Sequence, residues 1–190
     1  MALVNLPPIY LKVRRFDIDV PGQANRSDWT GSRQGVGQPG ADTWYANAAF
    51  LPAATETDKR LLRVFLYSMR GSVNWFRLPR SPGQHPGPNP TVAAVVDEFT
   101  ITLSSAAGIL PGMWATFTTG AKTRLVNILA TNVGGNVNRI SFEPLLRTDP
   151  AVASTVEIMN PFCEMVLSNP RNGFDTDEGV DTLEFDAEEA

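Results

Sequence analysis

Among its 190 residues the chain has one cysteine, Cys163, and one histidine, His85. A lone cysteine excludes an internal disulfide and a thiolate metal site. The lone histidine lies in "SPGQHPGPNP", so a Ser-His-Asp or Cys-His arrangement would have to be built on a Pro/Gly loop. A solvated loop histidine is the simpler expectation. Long apolar runs are also lacking: none approaches the ~20 residues that span a bilayer. The opening "MALVNLPPIY" has no basic segment followed by an apolar one, so no signal peptide is expected. These absences describe a soluble protein kept in a reducing compartment and without a membrane partner. Strong positive charge is missing as well. Net charge is −4, and the eight carboxylates from Asp175 onward stand without a Lys or Arg, which leaves the rest only weakly and diffusely positive. Sequence-specific binding to nucleic acid is not expected.

What is present is mostly strand pattern. In "IYLKVRRFDIDV", Ile9, Leu11 and Val13 alternate with polar residues, and the phase slips at Arg14-Arg15 before Phe16, Ile18 and Val20 continue. One extra residue in an alternating run is how a β-bulge reads. "TWYANAAFLP" alternates again, with Trp44, Ala46, Ala48 and Phe50 on one side. One helix follows: Thr55 is a suitable N-cap with Asp58 three residues on, and Leu61, Leu62, Phe65, Leu66 and Met69 form an apolar stripe. Gly71 is expected as its left-handed cap. "SVNWFRLP" then reads as a short aromatic strand ending at Pro79.

"PRSPGQHPGPNP" can be neither helix nor central strand. It is expected to be a linker or an ordered polyproline-like crossing, and the first place for a protease to cut. Beyond it, "EFTITLSS", "MWATFTTG", "TRLVNILATN", "NRISFEPLL" and "TVEIMN" are short Thr/Val-rich runs separated by glycines and prolines. Strands at that spacing describe a small barrel or sandwich. Strand pattern returns in "FCEMVLSNP" and in "GVDTLEFDAEEA", where Leu183, Phe185 and Ala187 alternate with carboxylates. The expected fold is mainly β with one α-helix, residues 1–91 and 160–190 forming one domain and 92–159 an inserted β-barrel or β-sandwich.

Signs of chemistry are sparse. "GVGQPG" (Gly35 to Gly40) has the G-x-G-x-x-G spacing of dinucleotide loops, but that spacing has meaning only between a buried strand and a helix. Here a strand pattern follows it and Pro39 sits inside it, so a Gly-Pro turn is the better reading. Cys163, between Phe162 and Met165, reads as a small buried hydrophobe. Asp175, Asp177 and Glu178 lack the D-x-[DN]-x-[DN]-G order of a calcium loop and read as a solvated acidic strand edge. Of Trp29, Trp44, Trp75 and Trp114, three lie in strand-like alternation, where core or interface use is commoner than sugar stacking. No catalytic, cofactor-binding or metal-binding residues are assigned, and enzymatic activity is not expected.

The order of parts is more telling. Ser32, Arg33, Gly40 and Trp44 form a loop leading into a strand. Leu66, Arg70 and Gly71 end a helix, and Trp75, Phe76 and Pro79 make an aromatic strand. This arrangement resembles the distal tail proteins of siphovirus-type bacteriophages and related gene-transfer particles. The resemblance implies a split-barrel or sandwich-like ring domain carrying an inserted β domain. It further implies a homo-oligomeric ring, usually of six copies, partnered by the tail tube protein and the tail-tip hub proteins. Such a protein is assembled in the host cytoplasm and resides at the distal end of the tail in the virion. Arg70, Trp75, Phe76 and Arg77 are then the candidate interface residues. The acidic C-terminal stretch and the arginines of the first domain (Arg14, Arg15, Arg33, Arg70, Arg77 and Arg80) suggest neighbouring copies meeting acid to base. A carbohydrate-binding β-domain is the alternative, since small β modules with exposed tryptophans often bind glycans.

Overall fold

Alternation becomes sheet in a computed structural model of the chain, which describes residues 1–26, 33–37, 41–53, 55–120, 122–169, 175–177 and 180–190. Of residues 22–26, 33–37, 175–177 and 180 it describes the backbone alone. Trp29, Ser32, Gly40 and Glu178 lie outside the described residues.

The chain begins with β1 (Leu11–Asp19), β2 (Gly22–Arg26), β3 (Arg33–Gly37) and β4 (Thr43–Phe50), followed by α1 (Glu56–Met69) and β5 (Trp75–Pro79). It continues through β6 (Val92–Asp97), β7 (Thr100–Leu103), β8 (Trp114–Thr119), β9 (Lys122–Thr131), β10 (Arg139–Glu143) and β11 (Val156–Glu157). It then returns through β12 (Phe162–Leu167), β13 (Asp175–Asp177), β14 (Val180–Thr182) and β15 (Glu184–Glu189). The fold is mainly β, with a single α-helix among the described residues. It divides into two compact units, Met1–Arg77 with Glu164–Ala190, and Leu78–Cys163. Positions 92 and 159, where the sequence pattern set the insert's ends, fall inside the second unit.

In the first unit the sheet order is β1-β4-β15-β12-β5. The doubled arginine is a bulge: Val13 faces Ala48 and Arg15 faces Asn47, so Arg14 is the extra residue. The acidic strand β15 is no edge. It sits in the middle of the sheet, with Phe185 opposite Ala48 and Val166 opposite Glu188. Leu183, Phe185 and Ala187 are buried, and burying this apolar row on one face fixes the register. The edge at β5 is covered by the N-terminal segment, which bridges Leu3 to Trp75 in parallel. Gly35 and Gly37 lie in β3, paired with β2, and the next described element is strand β4 rather than a helix. Among the described residues no helix follows β3 as a dinucleotide loop would require.

The helix α1 starts where Thr55 Oγ1 accepts the Asp58 N–H at 3.2 Å. It buries Leu62, Phe65 and Met69, and the Phe65 ring lies 5.6 Å from Phe50 and 5.7 Å from Phe76, both edge-on. The expected cap, Gly71, is one residue late: Arg70 already has left-handed backbone (φ 49), with Gly71 following at φ 67.

In the second unit the order is β11-β8-β9-β10-β7-β6. The two edges of this sheet meet at Thr91 and Thr155, and the Val92 N–H donates to the Ser154 carbonyl at 2.9 Å. The sheet thus curls around Leu103, Phe117, Ile128, Ile140, Phe142 and Ile158, all buried. The Pro/Gly-rich stretch is an ordered strap on this unit. Gln84 accepts the Trp114 N–H at 3.0 Å and donates to the Ile158 carbonyl at 2.9 Å, replacing strand partners with a side-chain amide.

Candidate functional site

Strand alternation divides the side chains of the first unit between two sides of its sheet. Phe50, Phe76 and Phe185 turn inward to Phe65 of α1, and Trp44 and Ala46, of the same parity as Phe50 on β4, are buried. The intervening residues therefore point the other way, and cross-strand register gathers them. Asp17 lies opposite Tyr45, and Arg15 opposite Asn47. On the other flank Asp186 lies opposite Asn47, and Glu188 opposite Tyr45. Arg15, Asp17, Asp19, Tyr45, Asn47, Ser168 and Asp186 line a groove of about 440 Å³, and Glu188 stands outside it.

Its charges are only partly matched. Arg15 Nε pairs with Asp17, and Asn47 Nδ2 donates to Asp186 at 3.0 Å and to Glu184 at 3.1 Å. Asp19 forms no ion pair among the described residues. Tyr45, 39% exposed, gives the groove an aromatic wall.

A second surface is the outer side of α1. From Lys59 to Arg70 the helix carries Lys59, Arg60, Arg63 and Arg70 and no acid. Glu56 pairs with Arg60 and Arg63, and Arg63 also reaches Asp181 at 3.2 Å. Arg70 pairs with no carboxylate among the described residues. Beside it Tyr67 and Val64 stand 75% and 63% exposed.

The four candidate interface residues separate. Trp75 and Arg77 share the outer side of β5, with the Arg77 guanidinium 5.8 Å from the Trp75 ring and 3.4 Å from Glu164. Arg70 is exposed at the helix end. Phe76 is fully buried against Phe65 and Phe185, so it is core and not surface. Alternation could have said so, since Phe76 and Trp75 are neighbours and must point to opposite sides. The acid-to-base idea also changes, because Glu184 pairs with Arg14 at 2.5 Å and Asp181 with Arg63 within one copy. The groove residues were missed because they come from three separate strands and the residue that follows a fourth.

In the second unit His85 is not solvated. It is 4% exposed, its imidazole packs against Gly87 and Gly108, and its Nδ1 has no hydrogen-bond partner among the described residues. Cys163 is buried. The Arg80 guanidinium lies 5.1 Å from the Trp114 ring, and burial lowers its pKa from the ordinary arginine value. Among the described residues no three His, Cys, Asp or Glu side chains gather at metal-binding geometry. No helix there is long and apolar enough to cross a membrane. What the arrangement offers is surface: a charged groove, a basic helix side and an aromatic–arginine pair. No protein-family model matches the chain and no curated protein matches it, so a functional reading rests on these residues.

Proposed function

We propose that this chain is a structural subunit that assembles with copies of itself into a ring, six-fold as in the distal tail proteins it resembles. In that reading it joins the tail tube to the tip proteins of a phage-type particle and performs no chemistry. One observation carries it. Of the described residues behind the resemblance, Arg33, Trp44, Leu66, Arg70, Gly71, Trp75 and Phe76 belong to one compact unit of sheet and helix, and Pro79, at the end of β5, lies just past its boundary in the second unit. The rest of the chain between β5 and β12, which are neighbours in that sheet, is a separate β unit. A ring repeats one heterologous contact around an axis, so its subunit needs two complementary exposed surfaces. The groove and the helix side are of that kind. The carbohydrate-binding alternative has less to stand on, since Trp44 is buried and both Trp75 and Trp114 have an arginine over the ring.

The reading is tested by antibody labelling of particles that contain this chain, combined with electron micrographs of the purified protein. Label at the distal end of the tail, with annular particles in the purified sample, is the expected result. Label on the capsid, or none on the tail, refutes it.

A further inference from the structure

We infer that the junction between copies is formed by the outer side of α1 on one copy seated in the groove beside Tyr45 on the next. The inference deepens the ring reading and rests on it. Arg70 and Tyr67 supply the helix side of the contact, and Asp19 and Tyr45 the groove side.

Charge selects this pairing. The helix side is basic from Lys59 onward, and Arg70 has no carboxylate of its own among the described residues. Among the described residues the groove holds Asp17, Asp19 and Asp186 against one cation, Arg15, and Asp19 is unmatched. An arginine entering it meets the Asp19 carboxylate and the face of Tyr45, the two partners a planar guanidinium takes best. Tyr67 and Val64, exposed on the helix, add apolar area, which supplies most of the affinity in such contacts.

Geometry then sets the symmetry. The helix packs on one side of the sheet through Leu62, Phe65 and Met69, while the groove's side chains have the opposite parity. The two surfaces face away from each other, so one copy cannot satisfy its own groove. A two-fold dimer could pair helix with groove only if both lay on one side of the subunit; on opposite sides they leave a two-fold contact like against like, which is disfavoured. With the two surfaces on opposite sides, a head-to-tail contact pairs unlike with unlike, and such contacts make a ring where the rotation from copy to copy closes.

The test is charge exchange, read as molar mass by light scattering across a concentration series. Arg70→Glu and Asp19→Lys are each expected to weaken self-association by about tenfold or more. The double variant, which restores opposite signs, is expected to recover most of it. Both positions are exposed, and circular dichroism checks that each variant is folded. Assembly that survives both single reversals, or a double variant no better than either single one, overturns this contact and leaves the ring reading standing. A wild-type protein that stays monomeric up to about millimolar concentration overturns both.

Discussion

Arg70 holds a left-handed backbone that a side chain with a Cβ adopts at a cost of about 1 kcal/mol. A glycine in the same place would be relaxed and would cap the helix as well. Arg70→Gly is therefore expected to raise the unfolding free energy by about 0.5–1 kcal/mol in urea titrations. If the junction inferred above is right, the same change weakens self-association, and a loss of stability instead would show that the side chain supports the fold. Phe65 is the opposite kind of residue. Its ring is buried and touches Phe50, Phe76 and Phe185, so Phe65→Ala is expected to cost about 3–5 kcal/mol by thermal or chemical denaturation. A loss below about 1 kcal/mol would mean the site can collapse or was never filled. His85 shows where residue-level reading failed. A histidine among prolines and glycines looks solvated because composition reports flexibility, whereas its burial depends on what the strap lies against.

The strap shows the same limit at the scale of an element. Its composition excludes regular structure but says nothing about hydrogen bonds made by side chains. Asn89 Oδ1 accepts the N–H groups of both Ile158 and Met159, and Nδ2 donates to Glu157. Removing that carboxamide leaves two backbone donors without an acceptor, so Asn89→Ala is expected to destabilise the second unit by about 1–3 kcal/mol. Limited proteolysis should then cut between residues 82 and 90 in the variant and spare that stretch in the parent. Early cutting of the parent would count against an ordered strap. The elements whose signal is local were legible: the bulge at Arg14-Arg15, the Thr55 cap, the stripe of Leu62, Phe65 and Met69, and the strands of the second unit. Strand order was not. The alternating carboxylates of β15 did not tell its position in the sheet, since its place beside β4 and β12 depends on partners more than a hundred and about twenty residues away, respectively. The groove was hidden for that reason too, because only the register brings Asp17, Tyr45 and Asp186 side by side.

Taken whole, the chain is one unit interrupted by another. The interruption was visible in the sequence as a change to Thr/Val-rich strands and a later return, but its ends were not, because the strap's side chains bind backbone groups of the second unit and make the strap part of it. Arg80 N–H donates to the Pro161 carbonyl at 2.7 Å, so the two ends of Leu78–Cys163 lie side by side. With its own core and joined ends, that segment expressed alone is expected to show cooperative melting and strand-type circular dichroism. A molten or aggregated product would show that it borrows stability from the remainder. The central position of β15 has a consequence for synthesis. Both strands it pairs with, β4 and β12, precede it in the chain. On the ribosome, the second unit is complete while the first sheet still has a gap in its middle. Nascent chains halted before Glu184 should therefore carry a protease-resistant barrel attached to a digestible remainder. If the junction inferred above is right, translation order doubles as proofreading: a polypeptide broken off early has no finished sheet, and so no groove for a neighbouring copy's helix.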